Sequence, residues 1–311
     1  MYEKYYYLNE RPFHITPDPK FLYFSRKHRE ALDLISFGIA EKKGFMLLTG
    51  EVGMGKTTLC RALLERLPDK TESALILNPL LSDFELLKSI TADFGIRAGR
   101  DTVKGHIDRL NRFLLETASK GGSAAVIIDE AQDLSPNALE MVRLLSNLET
   151  EKEKLLQIIL VGQPELRDKL NLPELRQLNQ RIIVRCDLEP LDLEETRAYI
   201  QNRIFVAGGR GTVEFSEEAL GLIHKESSGI PRLINIISDR TLTAAFVGDK
   251  RTADAEAARK ALDELKKEGY LTPGKDREVR QAGRYPNYAP HLAISACLIA
   301  FVILALRLYL K

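Results

Sequence analysis

The sequence predicts an α/β protein in which a parallel sheet is covered by helices on both faces and is followed by a smaller helical domain. Two observations lead to this fold class. Short runs that are apolar throughout, such as 44–49 and 124–128, alternate with stretches whose apolar residues recur at helical spacing. From Leu191 onward only the helical pattern continues. The 311 residues suit one large domain or two smaller ones with appendages.

The strands and helices of the sheet domain are predicted from these runs. Buried strands are expected at 44–49, 74–77, 124–128, 155–161 and 182–186. Helices are expected from Thr58 to Pro68, over 84–94 and over 107–118, and Ser135 followed by Pro136 is typical of a helix start. Strands that are apolar on both sides need helices on both faces, so three layers follow.

The helical part is predicted from helix start and stop signals. Asp192 and Glu195 have the spacing of a capping box. Gly229 interrupts the helical pattern and Pro231 restarts it. A last helix is expected over 253–268. These helices form a small separate domain after the sheet.

Changes in composition divide the chain into five segments. The first is rich in aromatic residues and proline, and the fourth holds three prolines, three glycines and several basic residues, which is typical of a linker. The predicted divisions are an amino-terminal arm at 1–30, the sheet domain at 31–190, the helical lid domain at 191–268, the linker at 269–290 and an apolar segment at 291–310.

Charge and cysteine content exclude several classes of function. The formal net charge is +1, so the chain as a whole offers no electrostatic argument for nucleic-acid binding, and a local basic patch stays open as an alternative. Cys60, Cys186 and Cys297 are far apart and form no CxxC pair, which argues against a disulfide framework and against a zinc ribbon.

A phosphate-binding loop is predicted between the first strand and the helix after it. The segment 50–57 matches G-x-x-x-x-G-K-[ST] in the strand–loop–helix context that this motif requires. Glycines let backbone N–H groups turn toward phosphate oxygens, and the helix amino terminus adds a positive dipole. A chance glycine-rich turn is the alternative. The nucleotide-binding residues expected are Gly50, Glu51, Val52, Gly53, Met54, Gly55, Lys56, Thr57 and Thr58.

Two further groups in this region are expected to contact ATP and Mg²⁺. Lys56 is placed to reach the β- and γ-phosphates, and the Thr57 hydroxyl to coordinate Mg²⁺. The third strand ends in Asp129 and Glu130, at the sheet edge where such folds bind ligands. Asp129 is expected to hold the metal, and Glu130 to orient and deprotonate the attacking water. The alternative is that both acids cap the next helix.

Three more side chains are candidates for sensing or stabilising the γ-phosphate. Gln163 follows the fourth strand and could touch the attacking water, or could satisfy the loop backbone. Arg181 is the preferred arginine for a neighbouring subunit's nucleotide, with Arg176 and Arg185 as competitors and a salt-bridged arginine as the alternative. Arg232, in the first turn of a lid helix, could reach the γ-phosphate or be a surface arginine.

The amino-terminal arm could contribute to the other end of the nucleotide site. His28 and Asp18 are candidates for shaping the adenine pocket.

These elements in this order resemble AAA+ ATPases. The finer resemblance, over about residues 1–265, is to the general secretion pathway A (ExeA-type) ATPases and to similar ATPases of exosortase gene clusters. It rests on five stretches, which are Phe13-x-x-Thr-Pro-Asp-Pro19, Gly44-Phe-Met-Leu-Leu-Thr-Gly-Glu-Val-Gly, Ile128-Asp-Glu-Ala-Gln-Asp-Leu134, Leu160-Val-Gly-Gln-Pro-Glu-Leu166 and Gly229-Ile-Pro-Arg232.

The resemblance implies an ATP hydrolase that works as a homo-oligomer in the cytoplasm and is coupled to assembly of an envelope secretion machine. Its implied partners are a companion inner-membrane protein and, through it, a secretin or a polysaccharide exporter. Members of the ExeA type often continue past their membrane helix into a peptidoglycan-binding domain. This sequence ends within a few residues of its apolar segment, which speaks against direct peptidoglycan binding.

The apolar segment predicts one transmembrane helix near the carboxyl terminus. It is apolar over 292–306 except for Ser295, and with Arg307 it extends to Leu310. At about 1.5 Å per residue it spans roughly 28 Å, close to one hydrocarbon core. Basic residues upstream favour a cytoplasmic amino-terminal side, and the chain start has no apolar signal-peptide region. The protein is therefore expected in the inner membrane with its ATPase domain in the cytoplasm; an amphipathic or buried helix is the alternative.

Three functions remain open on the sequence. The leading one is a membrane-anchored ATPase that drives or regulates assembly of an export system. The second is a DNA-handling ATPase, since the lid and the acidic strand also resemble transposition-helper and initiator ATPases; neutral charge and the apolar segment count against it. The third is a nucleotide-dependent scaffold without turnover, against which Lys56, Asp129 and Glu130 argue.

Overall fold

A computed structural model describes residues 2–16, 18–77, 80–97, 99–151 and 153–271. The chain divides into one unit of Met1–Leu262 and a second of Asp263–Lys311, of which 263–271 are described. Among the described residues, no helix has the length and apolar character needed to span a bilayer. The apolar segment predicted to do so, 291–310, lies outside the described residues, as does the linker beyond residue 271.

The first unit contains a five-stranded parallel sheet, as the sequence predicts. Its strands are β1 (Phe45–Thr49), β2 (Thr71–Ile76), β3 (Ser123–Ile128), β4 (Leu156–Gly162) and β5 (Ile182–Asp187). They are arranged in the order β2-β3-β4-β1-β5. All neighbouring pairs are parallel, so every strand ends at the same edge of the sheet.

Helices cover both faces of this sheet. They are α2 (Arg26–Ala40), α3 (Lys56–Arg66), α4 (Asp83–Asp93), α5 (Val103–Ser119), α6 (Pro136–Leu145), α7 (Glu165–Leu170) and α8 (Arg176–Arg181), preceded by the short α1 (Tyr2–Tyr5). Ser135 accepts a hydrogen bond from the backbone of Ala138 and Pro136 occupies the first turn of α6, so this predicted helix start is confirmed. The short helices α7 and α8 are not predicted by the sequence pattern.

The two faces of the sheet have separate cores because strand side chains alternate in direction. Phe45 and Leu47 of β1 belong to the core under α4, α5 and α6. Met46 and Leu48 belong to the core under α2 and α3. Strands buried on both sides are the physical reason for their continuous apolar sequence.

A helical part follows the sheet, and its last helix continues past Leu262 into the second unit. It contains α9 (Leu193–Val206), α10 (Glu217–Ser227), α11 (Pro231–Val247) and α12 (Ala255–Lys267), with a pair of two-residue strands, β6 (Glu214–Phe215) and β7 (Thr252–Ala253). Asp192 and Glu195 form the predicted capping box of α9. Gly229 has φ +73°, and a Cβ there would lie 2.1 Å from the Leu191 carbonyl oxygen. Only glycine fits this turn into α11.

The beginning of the amino-terminal arm packs on the helical part. The Tyr2 hydroxyl donates to Asp239 of α11. The Tyr6 hydroxyl lies 3.0 Å from the carbonyl oxygen of Lys250, to which it donates, and its ring is fully buried. The arm is therefore attached to the helices that follow the sheet before it continues into α2.

Candidate functional site

The predicted phosphate loop lies between β1 and α3, where the sequence places it. Gly53 and Gly55 have φ values of +82° and +86°, in the left-handed region that glycine adopts at little cost. Gly55 is the residue from which α3 begins. The backbone N–H groups of the first turn of α3 therefore point toward the mouth of the loop.

Lys56 lies inside this loop rather than at its surface. Its side chain is buried, and its Nζ donates to the carbonyl oxygens of Gly50 at 2.9 Å and Glu51 at 3.2 Å. Burial lowers the pKa of Lys56, while the nearby carboxylates of Glu130 and Asp129 oppose that shift. The Lys56 side chain is thus held at the centre of the loop, beside both acids.

Asp129 and Thr57 are brought into direct contact. The Thr57 hydroxyl donates to Asp129 Oδ2 at 2.5 Å, and the backbone N–H of Glu130 donates to Asp129 Oδ1 at 2.9 Å. Burial raises the pKa of Asp129, and the hydrogen bond from Thr57 works against this. Two hard oxygen ligands therefore meet at the mouth of the phosphate loop.

Glu130 has an unusual backbone conformation for a residue with a side chain. Its φ is +51°, in the left-handed region. Its Oε2 accepts hydrogen bonds from Gln132 Nε2 at 2.8 Å and from Gln163 Nε2 at 3.4 Å. Because β4 lies between β3 and β1, Gln163 follows the strand that separates the acids from the phosphate loop. The structure thus brings Gln163 to the carboxylate of Glu130.

Gln132 is a residue of this site that the sequence analysis missed as a functional candidate. Its side chain connects Glu130 to the backbone N–H of Gln163, which donates to Gln132 Oε1 at 3.0 Å. A glutamine in a turn carries no signal that separates it from a surface residue. Only its place directly after two acids could have drawn attention to it.

Arg232 begins α11 directly against the phosphate loop. Its backbone N–H donates to the Gly53 carbonyl oxygen at 3.2 Å. Its exposed side chain lines the same cavity as the loop. The structure therefore places Arg232 beside the phosphate loop, and its expected contact with the γ-phosphate stays a prediction.

Arg181 lies at the opposite edge of the sheet. It precedes β5, which runs parallel to β1, and therefore sits where the strands begin rather than where they end. Its guanidinium donates to Ser146 Oγ at 2.6 Å, Asn147 Oδ1 at 2.7 Å and the Arg143 carbonyl oxygen at 3.3 Å. Arg181 is thus not near the phosphate loop of its own chain and is bonded to the carboxyl-terminal end of α6.

The two competing arginines differ from Arg181 in their surroundings. Arg185 donates to the carbonyl oxygen and the side chain of Asn179. Arg176 is exposed, and its side chain makes no hydrogen bond or ion pair within the part of the chain that the structure describes. The choice among the three arginines remains a prediction.

His28 contacts the phosphate loop itself. Its Nε2 lies 2.9 Å from the carbonyl oxygen of Met54 and its Nδ1 lies 2.7 Å from Ser25 Oγ. The carbonyl can only accept, so Nε2 carries the proton and Nδ1 accepts from the serine. Burial lowers the pKa of His28, which keeps the ring neutral. Together with Asp18 it also lines the cavity, and their expected role at the adenine end remains a prediction.

An open cavity of about 540 Å³ joins the phosphate loop, the arm and the lid helices. Its lining includes a buried polar chain that the sequence analysis missed. Arg203 Nη1 donates to the Tyr199 hydroxyl at 3.0 Å, and that hydroxyl donates to Asn235 Oδ1 at 3.0 Å. Arg203 also donates to the carbonyl oxygens of Pro12 and His14 and lies 4.8 Å from the ring centre of Phe21. This chain fixes the arm as one wall of the cavity.

The donor set fits one Mg²⁺ that also binds phosphate oxygens. Thr57 Oγ1 and Asp129 Oδ2 are oxygen ligands of the kind Mg²⁺ takes, and Mg²⁺ usually needs only one or two protein carboxylates beside substrate phosphates. Within the described ranges, no group of three or more His, Cys, Asp or Glu side chains forms a metal cage. The fit is therefore to a metal that arrives with a nucleotide.

Comparison with known proteins agrees with this geometry. Residues 39–170 match the family described as AAA domain. The chain is 48% identical over 247 residues to general secretion pathway protein A of Aeromonas hydrophila. That match covers 79% of this chain and 45% of the relative, so the chain spans about half the relative's length.

Solved structures share the fold at low sequence identity. The Aeropyrum pernix ORC2 protein in its ADPNP–ADP complexes has a TM-score of 0.59 at 18% identity, covering 82% of this chain and 72% of that one. Cdc6p from Pyrobaculum aerophilum has a TM-score of 0.57 at 18% identity, covering 80% and 71%. The RuvB Holliday junction branch migration motor of Thermotoga maritima has a TM-score of 0.51 at 18% identity, covering 76% and 69%.

Proposed function

We propose that this chain, which belongs to the AAA+ ATPases and to the family of general secretion pathway protein A, binds Mg·ATP at 50–57 and hydrolyses it. One observation carries the proposal. The Thr57 hydroxyl and the Asp129 carboxylate lie 2.5 Å apart at the mouth of a glycine loop that encloses Lys56. A hydroxyl, a carboxylate and an ammonium at one helix amino terminus are the groups that a metal-bound triphosphate needs.

Each residue of the loop has a defined part in this proposal. The backbone N–H groups around Gly53 and Gly55 bind phosphate oxygens. Lys56 exchanges its two carbonyl partners for the β- and γ-phosphates, which bring more negative charge. Thr57 and Asp129 would hold Mg²⁺, which neutralises charge on the phosphates when bound.

Glu130 is proposed as the base of the reaction. Its Oε2 already accepts from two amide groups, so the carboxylate is held in one orientation and is acceptor-only when ionised. It accepts a proton from the attacking water while Gln163 orients that water from the end of β4. Arg232 approaches from α11 and stabilises charge on the γ-phosphate from the lid side.

The test compares two loop and strand variants with matched controls. Lys56→Ala is expected to abolish ATP binding, and Glu130→Gln to bind ATP but hydrolyse it poorly. Lys70→Ala and Glu72→Gln change an exposed lysine and an exposed glutamate outside the site and serve as controls. Radiolabelled ATP binding and phosphate release are measured. Normal turnover by either site variant would contradict the scheme.

The biological setting proposed is an envelope secretion or export system. Support comes from the relative named general secretion pathway protein A, which this chain matches over 79% of its own length. The chain would act as a homo-oligomer and would engage a companion inner-membrane protein and, through it, a secretin or exporter. The DNA-handling alternative is not proposed, because the likeness to ORC, Cdc6 and RuvB structures concerns the fold alone.

Membrane attachment through 291–310 is part of the same proposal. The test uses the full chain with Ile299→Arg and Ala300→Arg together, because each arginine at a helix centre costs about 2.5–3.5 kcal/mol of insertion free energy. Wild-type protein is expected to stay with membranes washed in alkaline carbonate, and the double variant to be released with its ATPase rate unchanged. Release of both proteins would refute the anchor and leave the ATPase proposal standing.

A further inference from the structure

We infer that Gln132 is a positioning residue for hydrolysis: it fixes the carboxylate of Glu130 and ties it to the end of β4. The inference rests on the proposed function and adds a residue to which no catalytic part has been given. Gln132 Nε2 donates to Glu130 Oε2 at 2.8 Å, and Gln132 Oε1 accepts from the backbone N–H of Gln163 at 3.0 Å. One amide thus connects the ends of two neighbouring strands.

The orientation of this amide follows from its partners. The N–H of Gln163 can only donate, so the atom facing it must be the oxygen of Gln132. The nitrogen then faces Glu130, whose ionised carboxylate can only accept. A glutamine satisfies both neighbours at once, whereas a glutamate of the same shape satisfies one and repels the other.

The surroundings hold Gln132 in place for this contact. A Cβ at Gly162 would lie 2.7 Å from Gln132 Oε1, so the end of β4 leaves room for the amide only because it is glycine. Lys169 Nζ donates to the carbonyl oxygens of Gln132 at 2.5 Å and Leu134 at 2.8 Å. The turn that carries Gln132 is therefore bonded to α7, which follows Gln163.

Glu130 depends on such a partner because of its own backbone. With φ +51° its side chain leaves the chain from a left-handed residue, just beyond the end of β3. The second amide at its Oε2, Gln163 Nε2, is farther away at 3.4 Å. Gln132 is consequently the nearer of the two donors that fix the carboxylate, and its loss leaves Glu130 free to rotate without disturbing the phosphate loop.

The experiment compares Gln132→Glu and Gln132→Ala with the wild type. Both are expected to lower kcat by about 10- to 100-fold, the range typical of partners that orient a reactive group. The Kd for Mg·ATP, measured by calorimetry, is expected to stay within about twofold because Gln132 does not line the phosphate loop. Gln180→Glu, on exposed α8, is the matched control and is expected to behave as wild type.

A double variant tests whether the two glutamines act together. Gln132→Ala combined with Gln163→Ala is expected to cost little more than the worse single change, because both act on one carboxylate. Full turnover by Gln132→Glu, or a parallel loss of ATP affinity and melting temperature in both variants, would overturn the inference. If wild-type protein itself releases no phosphate, the proposed function fails instead, so the two failures are distinct.

Discussion

The carbonyl oxygen of Gly53 accepts a hydrogen bond from the backbone N–H of Arg232 at 3.2 Å, which joins the phosphate loop to the first turn of a lid helix. The Arg232 side chain also packs closely against the Gly53 backbone, since a Cβ added to Gly53 would lie 2.6 Å from Arg232 Cβ. The phosphate loop and the first turn of α11 are therefore in direct contact.

Gly53→Ala is expected to weaken both folding and nucleotide binding. Its φ of +82° is strained for alanine, and the added methyl group must displace Arg232. We expect the free energy of unfolding to fall by about 1–3 kcal/mol, and Mg·ATP affinity to fall about tenfold or more, which corresponds to 1.4 kcal/mol. Urea unfolding and calorimetry measure the two effects.

Gly121→Ala is the matched control for this substitution. Gly121 also has a positive φ, +70°, but nothing lies within 4 Å of the position its Cβ would take. The loss of unfolding free energy in Gly121→Ala therefore reports the strain of the positive φ alone, without any side-chain contact. Equal losses in the two variants would show that contact with Arg232 contributes nothing.

Arg232→Ala is expected to lower kcat about 10²-fold, the scale found when one donor to a transition-state oxyanion is removed. Its guanidinium is exposed, so the melting temperature should stay close to that of the wild type. Arg210→Ala removes another exposed lid arginine and should have no effect on turnover. Phosphate release measured at saturating ATP decides the matter, and equal rates for the two variants would exclude a role for Arg232.

Arg181→Ala is expected to reduce stability. Its guanidinium bonds Ser146, Asn147 and the carbonyl oxygen of Arg143 at the end of α6, and charged hydrogen bonds there are worth about 1–3 kcal/mol together. Arg176→Ala should leave the free energy of unfolding unchanged, since the Arg176 side chain is exposed and has no polar partner among the described residues. Denaturant titration of both variants tests this.

A mixing experiment assigns the arginine that acts in a neighbouring subunit. Arg181→Ala subunits keep their own base, and Glu130→Gln subunits keep their arginine, so a mixture is expected to regain phosphate release that neither has alone. Arg176→Ala subunits keep both Arg181 and Glu130 and are expected to be active alone, so mixing them with Glu130→Gln subunits is expected to restore no phosphate release. Recovery with Arg176→Ala instead would move the assignment to that residue.

The burial of His28 predicts how the free energy of unfolding depends on pH. Burial holds its pKa in the folded protein below the ordinary value of 6.5, and only Glu195 opposes that shift with a charge. As pH falls below 6.5, the unfolded chain takes up a proton at His28 that the folded chain does not. The free energy of unfolding therefore decreases below pH 6.5, by up to about 1.4 kcal/mol per pH unit.

His28→Gln is expected to remove this part of the dependence while keeping an N–H that can reach the Met54 carbonyl oxygen. Urea unfolding of both proteins between pH 7.5 and 5.5 measures the difference in slope. His14, His106 and His224 are common to both proteins and cancel in the comparison. Identical slopes would show that His28 titrates as it does in the unfolded chain.

The sequence was sufficient for the elements whose signals are local. The glycine loop, its lysine and the apolar strand that ends in Asp129 and Glu130 are each contiguous, and parallel strands bring their ends to one edge. The five strands and the capping box at Asp192 are likewise recognisable from neighbouring residues. These features could therefore be predicted without knowledge of the packing.

Contacts between distant segments could not be predicted in this way. The position of β4 between β3 and β1 depends on packing, and it is this order that brings Gln163 to Glu130. Arg203 looks in sequence like a surface arginine of a helix, yet it is buried against the arm, about 190 residues earlier in the chain. The sequence around Arg203, near the carboxyl end of α9, does not indicate that the arm is its partner.

The attachment of the arm affects how the helices after the sheet are connected to the sheet domain. Tyr2 and Tyr6 bond the start of the chain to α11 and the turn after it. Arg203 donates hydrogen bonds to the carbonyl oxygens of Pro12 and His14 in the arm. From there the chain passes Phe21, which packs on Arg203, and Tyr23, which packs on Tyr199, before it reaches the first turn of α2. The chain thus joins these helices to the sheet at two places, through the arm and through residues 188–192, so cutting the arm would leave a single covalent connection.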